Sequence, residues 1–329
     1  MCNADEGEPG TYKDRIIMEN DPQSLLEGMA ICAYAIGATK GFIYCRGEYP
    51  YVVDLLKKAI IQAKDKGLLG DFDIEVRMGA GAYVCGEETA LIESIEGGRG
   101  EPRYKPPYPG VAGLWGKPTI VNNVETFVNL PVIIEKGADW FKSIGAAGYP
   151  GTKVFTLTGD VVNKTFIEVP TDTTIREIVF DFGGGIPQGK KFKAVQIGGS
   201  SGGFIPEDLL DSPADFDSMQ KIGATLGSGA VFVMDQTRDI VDVIERIAQF
   251  FEHESCGKCA PCREGTMRVC EIIEKINQGK GIAKDMAVLE KLGRVMSVSC
   301  LCGLGQAAPV PVLTTMRHFK ADYEAKVTG

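Results

Sequence analysis

The chain has 329 residues, 44% of them apolar, and a formal net charge of −9. It is therefore long enough for two or three packed domains, and its acidic balance disfavours a nucleic-acid partner, because phosphate binding needs a basic surface. No apolar run reaches the roughly 18 residues of a membrane helix, and the acidic start lacks the apolar core of a signal peptide. We therefore expect a cytoplasmic protein without direct membrane insertion, peripheral on a membrane complex only through partners.

The first 150 residues have the pattern of an α/β domain. Asp21 and Pro22 begin a helix, since Asp is a good N-cap and Pro suits the first helical position. Further predicted elements, in chain order, are a strand at 41–45, a helix at 51–66, a strand at 72–76, a helix from near Glu87 and a helix from near Asn122. This order predicts helices packed on a partly parallel sheet. Residues 97–118 are rich in Gly and Pro, so we expect no regular element there.

The rest of the chain changes character twice. After a predicted linker at 145–152, short β-type runs alternate with turn residues, with one helix near 174–180. From Thr237, apolar residues recur with a period near 3.6 in four stretches, which predicts a four-helix bundle. We therefore divide the chain into an α/β domain at 1–150, a small mixed-β domain at 151–236 and a helical bundle at 237–329.

Cysteine spacing is the most specific chemical signal in the sequence. Cys256, Cys259 and Cys262 form a C-x2-C-x2-C run within SCGKCAPCREGT. Three thiolates at this spacing can bind three corners of an iron–sulfur cubane, whereas zinc knuckles generally use two separated pairs. The fourth ligand has to come from a distant segment, where Cys300 and Cys302 in CLCGLGQ are the candidates. We expect a 4Fe-4S cluster, with zinc as the alternative.

Two polar loops of the α/β region are candidates for holding a second ligand. Asp5, Glu6 and Glu8 lie within NADEGEPGTYKDR, and carboxylates accept hydrogen bonds from ribose or ribityl hydroxyls and ring N–H groups. An acidic surface turn is the alternative for this loop. GAGAYVCGEE at 79–88 would allow the backbone to approach a flat ring. Val84 occupies the third glycine position of the dinucleotide fingerprint, so that fingerprint is not met.

Polar side chains also cluster at the helix that is predicted to begin near Asn122. Asn122 and Asn123 carry adjacent amides, and Thr126 follows one turn later. Capping of the helix by one asparagine is the simpler interpretation. The second amide favours a polar ligand at this end of the helix.

Six motifs, taken in order, resemble a known family. They are CNADEGEPGT, YCRGEYP, GAYVCGEETALIESIEG, GLWGKPTIVNNVET, ESCGKCAPCREGT and SCLCGLGQ. Together they resemble the flavin subunit of NADH dehydrogenases, which is the NADH-oxidising subunit of respiratory complex I and of its relatives in NAD(P)-linked hydrogenases and formate dehydrogenases. The resemblance spans nearly the whole chain. It implies an FMN-binding α/β domain, a ubiquitin-like β-grasp domain and a C-terminal helical bundle with one 4Fe-4S cluster.

The resemblance also implies individual site residues. The implied FMN contacts are Asn3, Asp5, Glu6, Gly86, Glu87, Asn122, Asn123 and Thr126. Glu88 would help to hold NADH, and Tyr108 would lie against its nicotinamide or adenine side. The implied cluster ligands are Cys256, Cys259, Cys262 and Cys302, because the family usually has Ser in the place of Cys300. The chemistry needs no side-chain acid or base, so we name no catalytic residue.

The implied activity is hydride transfer between NAD(P)H and FMN, then single-electron transfer to the 4Fe-4S cluster. The implied partners are a thioredoxin-like 2Fe-2S subunit and further electron-transfer subunits; the sequence separates neither NADH from NADPH nor one final acceptor from another. The family's N-terminal glycine-rich segment, of the kind GRGGAGFPTG, is absent from this sequence. We therefore expect either a fragment or a loop supplied by another polypeptide. This departure motivates an alternative, a non-catalytic iron–sulfur relay or assembly module that has lost flavin.

Overall fold

The computed structural model describes residues 1–328, which divide into two compact units. The first unit comprises Met1–Gly7 and Tyr12–Ser143, and the second comprises Glu8–Thr11 and the chain from Ile144 onward. Each unit contains its own main sheet and its own cluster of buried apolar side chains. The three-domain division at 150 and 236 stays a prediction.

The first unit is a parallel sheet with helices. Its strands are β1 (Cys2–Ala4), β2 (Lys40–Cys45), β3 (Asp73–Met78) and β4 (Asn122–Asn123), and its helices are α1 (Lys13–Asn20), α2 (Pro22–Ile36), α3 (Pro50–Asp65), α4 (Glu88–Ile95), α5 (Pro109–Ala112), α6 (Val124–Lys136) and α7 (Ala138–Lys142). The strands are all parallel, in the order β3-β2-β1-β4. Because β4 lies on the side of β1 away from β2, the winding reverses between β1 and β4. At such a point an open parallel sheet leaves a crevice beyond the carboxyl ends of its strands.

The start of α2 agrees with the sequence prediction. The Asp21 carboxylate accepts a hydrogen bond from the Ser24 backbone N–H at 3.1 Å, and Pro22 occupies the first turn. Gly37 ends the helix at φ 68, a left-handed conformation that glycine adopts without steric cost. Leu25 and Leu26 of this helix are buried in the core of the unit.

The second unit begins with a mixed sheet. Its strands are β5 (Gly145–Ala146), β6 (Tyr149–Pro150), β7 (Thr152–Gly159), β8 (Phe166–Pro170), β9 (Phe192–Ile197), β10 (Gly203–Ile205) and β11 (Ala230–Asp235), with a π-helical turn at Glu177–Phe182, a 3-10 turn at Glu207–Leu209 and helix α8 (Phe216–Lys221). Five strands form one sheet in the order β10-β9-β11-β7-β8. Only the β7–β11 pair is parallel. The predicted short strands of this region are therefore present.

Residues Glu8–Thr11 belong to the second unit because they form hydrogen bonds with its sheet and turns. The Glu8 carboxylate accepts a hydrogen bond from the Ser201 backbone N–H at 3.0 Å. The Gly10 carbonyl accepts one from the Thr156 hydroxyl at 2.7 Å, and the Thr11 and Ser228 hydroxyls lie 2.5 Å apart. A short early segment of the chain thus completes the polar surface of the later unit.

The C-terminal part is helical, as predicted. It contains α9 (Ile240–Glu254), α10 (Ala260–Asn277), α11 (Ala283–Ser299), α12 (Gly303–Ala307), α13 (Val310–His318) and α14 (Lys320–Glu324). Four of these match the predicted apolar stretches, while the short helices α12 and α14 were not anticipated. None of the helices in residues 1–328 combines the length and apolarity needed to cross a bilayer.

Three predictions of irregular chain were wrong. α1 occupies part of the predicted acidic loop, and the 97–118 segment contains α5 and a 3-10 turn at Leu114–Gly116. The predicted 145–152 linker contains the β5–β6 hairpin. Pro109, in the first turn of α5, is a local helix-start signal that the prediction did not use. The hairpin depends on a contact that local patterns do not reveal: the Thr171 hydroxyl accepts from Ala146 N at 2.9 Å and donates to the Tyr149 carbonyl.

Candidate functional site

The carboxyl ends of β1 and β4 bring together residues that are distant in the sequence. The register of the two strands pairs Asn3 with Asn123. The Asn3 side chain donates to the Gly86 carbonyl at 2.8 Å and accepts from the Asp5 backbone N–H at 3.1 Å. A Cβ on Gly86 would lie 3.7 Å from Asp5 Oδ2, so the carboxylate lies beside this glycine. Four predicted FMN contacts therefore meet where the winding of the sheet reverses.

A buried charge network supports this end of the sheet. Lys13, which is 4% exposed, donates to Asp14 at 2.5 Å and to Asn123 Oδ1 at 3.0 Å, and pairs with Glu125 at 3.1 Å. Asn123 Nδ2 donates to the Asn3 carbonyl at 3.2 Å and to Asp14 at 2.7 Å, and its Oδ1 also accepts from Glu125 N at 3.0 Å. Burial acts to lower the pKa of Lys13, but the two carboxylates outweigh it and raise that pKa. Lys13 is therefore a permanent cation.

Glu6 caps the first turn of α1. Its two carboxylate oxygens accept hydrogen bonds from Asp14 N at 2.8 Å and Arg15 N at 3.1 Å. Burial, with the neighbouring charge of Asp14, raises the pKa of Glu6 to about 7. Glu6 and Asn123, both predicted FMN contacts, therefore have their side-chain oxygens bonded to the protein itself. In this arrangement they shape the loop and strand end that border the site.

Acidic residues at the start of α4 form a second group. Glu87 Oε2 accepts from Thr89 N at 2.8 Å and Ala90 N at 3.0 Å, while Lys105 Nζ donates to Glu87 at 2.8 Å and to Glu88 at 2.6 Å. Burial acts to raise the pKa of Glu87, but Lys105 and the capping bonds lower it. Glu87 is therefore ionised. The sequence analysis did not identify Lys105 as a site residue. Its only signal in the sequence is that it is a lysine in a proline-rich segment.

The remaining predicted ligand residues present accessible groups. Asn122 is half-buried at the end of β4, and Thr126 is exposed on the first turn of α6. Within residues 1–328, neither side chain has a hydrogen-bond partner. Tyr108 is 60% exposed and directly precedes α5. These three groups are free to contact a ligand.

The chemistry of this donor and acceptor set suits a flavin. Carboxylates at Asp5, Glu87 and Glu88 accept hydrogen bonds, which ring N–H and sugar hydroxyl groups donate. The amide of Asn122 both donates and accepts, as the flavin ring edge requires. The lack of a side chain at Gly86 allows close approach of a ring to the backbone. The residues present therefore fit the ring and ribityl parts of FMN.

The second chemical centre joins two segments of the second unit. Cys256 and Cys259 lie in the loop between α9 and α10, Cys262 lies in the first turn of α10, and Cys302 directly precedes α12. The Leu301 backbone N–H points to Cys259 Sγ at 3.5 Å. The segment that leads into Cys302 therefore meets the α10 loop at Cys259. Burial raises the pKa of the Cys262 thiol to about 11.

The donor type of this group suits an iron–sulfur cluster. Within residues 1–328, no group of three His, Cys, Asp or Glu side chains is placed to hold a single metal ion. Iron–sulfur clusters are held by cysteine thiolates, one at each iron of a cubane. The four predicted ligands are all cysteines, and Cys259 is also the N-cap of α10.

The structure adds a fifth thiol to this centre. Cys300 is 5% exposed, and a Cβ added to Gly305 would meet both Cys300 Sγ at 2.8 Å and Cys262 Cβ at 3.0 Å. Burial and the charges of Cys262, Cys259 and Cys302 raise the pKa of Cys300 to about 12. The family resemblance favoured Cys302 over Cys300, but the structure places both beside the α10 cysteines.

Comparisons with known proteins match the two regions of the chain that contain these candidate sites. Residues 1–132 match the Nuo51 FMN-binding domain, and residues 242–326 match the NADH-ubiquinone oxidoreductase-F iron-sulfur binding region. The chain is 52% identical over 335 residues to the HndC subunit of the NADP-reducing hydrogenase of Solidesulfovibrio fructosivorans, covering 99% of this chain and 68% of that protein. It is 43% identical over 336 residues to the F subunit of the NADH-quinone oxidoreductase of Escherichia coli (strain K12), covering 99% of this chain and 76% of that protein.

A solved structure has the same fold. A chain from the crystal structure of NAD+-reducing [NiFe]-hydrogenase in the H2-reduced state matches with a TM-score of 0.92 and 39% identity. The match covers 99% of this chain and 56% of the hydrogenase chain, so this chain spans about half the length of that one.

The two sites and these matches together define a flavin and iron–sulfur subunit of an oxidoreductase. The chain belongs to the family of NADH-quinone oxidoreductase F subunits and their counterparts in NAD(P)-linked hydrogenases. The resemblance inferred from the six motifs is confirmed, and so are the expected FMN and iron–sulfur cofactors, at the level of the two matched domains. The individual ligand residues stay predictions.

Proposed function

We propose that this chain is the NAD(P)H-oxidising flavin subunit of a larger electron-transfer complex. The observation that carries the proposal is the meeting of Asn3, Asp5, Gly86 and Asn123 where the first sheet reverses its winding, in a chain that also gathers Cys256, Cys259, Cys262 and Cys302. When bound, FMN supplies the chemistry that converts a hydride from NAD(P)H into single electrons for an iron–sulfur cluster.

The residues of the first unit bind and orient the ligands in this proposal. Asn3, Asp5, Gly86, Glu87, Asn122 and Thr126 would contact FMN directly, whereas Glu6 and Asn123 would border it and hold its surroundings rigid. Glu88 would accept hydrogen bonds from NAD(P)H, and the exposed ring of Tyr108 would lie against one of its bases. Lys105 bonds both Glu87 and Glu88 and would hold these two carboxylates in place at the start of α4.

We assign residues 151–236 to a ubiquitin-like β-grasp domain. Counted in chain order within this domain, the strands β7, β8, β9, β10 and β11 form a sheet in the order 2-1-5-3-4. The central pair is parallel, and a helical turn at Glu177–Phe182 follows the second strand. These features support the assignment, and with it the three-domain division at 150 and 236.

The proposed setting is a multisubunit complex at or near the cytoplasm. Its expected partners are a thioredoxin-like 2Fe-2S subunit and further electron-transfer subunits. Support comes from the relatives, which are named as subunits of NADH-quinone oxidoreductases and a hydrogenase. The rival hypothesis, a relay module without flavin, has less support because residues 1–132 match an FMN-binding domain.

The test uses the full-length protein that contains this chain. FMN retained after desalting and NAD(P)H oxidation with ferricyanide would be measured for the wild type, Asp5→Asn and Glu27→Gln. Asp5→Asn should weaken FMN binding about tenfold, because it removes a charge-assisted hydrogen bond worth about 1.5 kcal/mol or more. Glu27 is exposed on α2, so its variant should match the wild type. Absence of both flavin and activity in the wild type would contradict the proposal.

A further inference from the structure

We propose that Cys300 is an interchangeable fourth ligand of the iron–sulfur centre, able to take the place of Cys302. The inference rests on the proposed cluster site and deepens it. A site of this kind holds five thiols for four corners. Two of these thiols, two residues apart, would serve the same corner.

The packing of Cys300 supports this role. A Cβ on Gly305 would meet Cys300 Sγ at 2.8 Å and Cys262 Cβ at 3.0 Å. Cys300 and Cys262 therefore approach the same face of Gly305, and only the missing side chain leaves them room. Cys300 is thus part of the thiol group and not a cysteine of the surrounding apolar core.

The backbone explains how two thiols can reach one corner. The chain bends at Cys300, Leu301 and Cys302, and the backbone N–H of Leu301 points to Cys259 Sγ at 3.5 Å. Cys300 and Cys302 therefore flank a direct contact with the α10 loop. The Gln306 side chain donates to the Cys300 carbonyl at 2.9 Å, which ties this short segment to α12.

The exchange of ligands requires no redox partner. The Cys300 thiol would lose its proton and its sulfur would bind iron, while the Cys302 sulfur would leave that iron and take up a proton. One Fe–S bond forms as one breaks, and the net charge and electron count are unchanged. Alanine is the suitable replacement in a test, because a serine oxygen is itself able to bind iron.

The test compares iron and acid-labile sulfide per chain in the full-length protein, together with the electron paramagnetic resonance spectrum after reduction. Cys300→Ala and Cys302→Ala should each retain close to the wild-type iron and sulfide content, with spectra that differ from each other. The double variant, with Cys300→Ala and Cys302→Ala together, should lose the cluster. Cys256→Ala, which removes a ligand without a neighbour to replace it, should lose the cluster as well.

Controls separate this inference from the proposed function. Cys270→Ala removes a buried cysteine of α10 outside the group and should keep its iron, and helical circular dichroism should show each variant to be folded. Loss of iron in folded Cys302→Ala, with Cys300 still present, would overturn the inference, as would retention of the cluster in the variant lacking both. Absence of iron and sulfide in the wild type would instead refute the proposed cluster site.

Discussion

Lys13 is a positive charge held inside the first unit by oxygen atoms from three residues. It pairs with Asp14 and Glu125 and donates to Asn123, whose side chain joins β1 to the start of α6. Removing a charge from water is costly, so such a group is stable only while all its partners are present. The position of Asn123 at the end of β4 therefore depends on this one cation.

Replacing Lys13 should destabilise the first unit strongly. In Lys13→Met two buried carboxylates lose their counter-charge, and we expect the free energy of unfolding to fall by about 3–5 kcal/mol. The matched control is Lys40→Met, since Lys40 is exposed and its pairs with Asp73 and Glu75 should contribute about 1 kcal/mol or less. Urea unfolding followed by tryptophan fluorescence measures both. Equal losses in the two variants would refute the special role of Lys13.

Glu6 makes the first unit sensitive to pH. Burial raises its pKa from an ordinary value of 4.5 to about 7. Between these pH values the unfolded chain has released the Glu6 proton while the folded chain retains it, so the free energy of unfolding should decrease as pH rises from 4.5 to about 7. Glu6→Gln should remove this part of the decrease, and Glu135→Gln, on the exposed side of α6, should not. Urea unfolding at several pH values measures this dependence. If the free energy of unfolding changes with pH equally in the wild type and in both variants, the prediction is wrong.

Helices α2 and α6 approach so closely that one position of the contact admits only glycine. A Cβ on Gly28 would lie 1.9 Å from the Phe127 carbonyl oxygen, and Phe127 itself is buried. The contact sets how far α6 lies from α2. Because Asn123 is the N-cap of α6, this contact also influences the polar end of the sheet.

Gly28→Ala should therefore lower stability, although alanine favours helix over glycine by about 1 kcal/mol. We expect a loss of about 1–3 kcal/mol from overpacking against α6. Gly110→Ala is the matched control, because Gly110 is helical, in α5, and nothing lies within 4 Å of its added Cβ. The control should be neutral or slightly stabilised in the same urea experiment. A stabilised Gly28→Ala variant would show that the two helices separate easily.

At this scale, the sequence predicts elements whose signals are local. Asp21 and Pro22 mark the start of α2 because the cap and the first turn are adjacent in the chain. The two-residue strand β4 has no such signal, since only its pairing with β1 defines it. α1 escapes prediction for a related reason: its first residues, Lys13 and Asp14, are charged and yet buried. One partner that they share, Asn123, lies more than a hundred residues away.

The same distinction holds for the candidate sites. The spacing of Cys256, Cys259 and Cys262 predicts a cluster because the three ligands lie close together in the chain. The contact of the Cys300–Cys302 segment with Cys259 depends on how α11 and α12 fold back, which no spacing encodes. Likewise, Lys105 meets Glu87 and Glu88 only in the folded chain.

Across the whole molecule, the two units carry separate spectroscopic probes. Both tryptophans of the chain, Trp115 and Trp140, lie in the first unit, whereas the predicted cluster ligands lie in the second. Each unit has its own core, so we expect their unfolding transitions to differ. Urea titration followed by tryptophan fluorescence and by visible cluster absorbance should give two midpoints.

A variant provides the control for this expectation. Lys13→Met should move the fluorescence midpoint to lower urea and leave the cluster-absorbance midpoint unchanged. If both midpoints coincide in the wild type and shift together in the variant, the chain unfolds as one cooperative body and the prediction is wrong.

The placement of Glu8–Thr11 in the second unit affects how the second unit can be expressed alone. Expression from residue 144 onward would omit this segment and leave the groups of Ser201, Thr156 and Ser228 that bind it facing solvent. The truncated product would lack part of its own polar surface although its sheet and helices are encoded in full. Expression of the second half alone should therefore supply these four residues in trans as a peptide, or in cis through a flexible fusion.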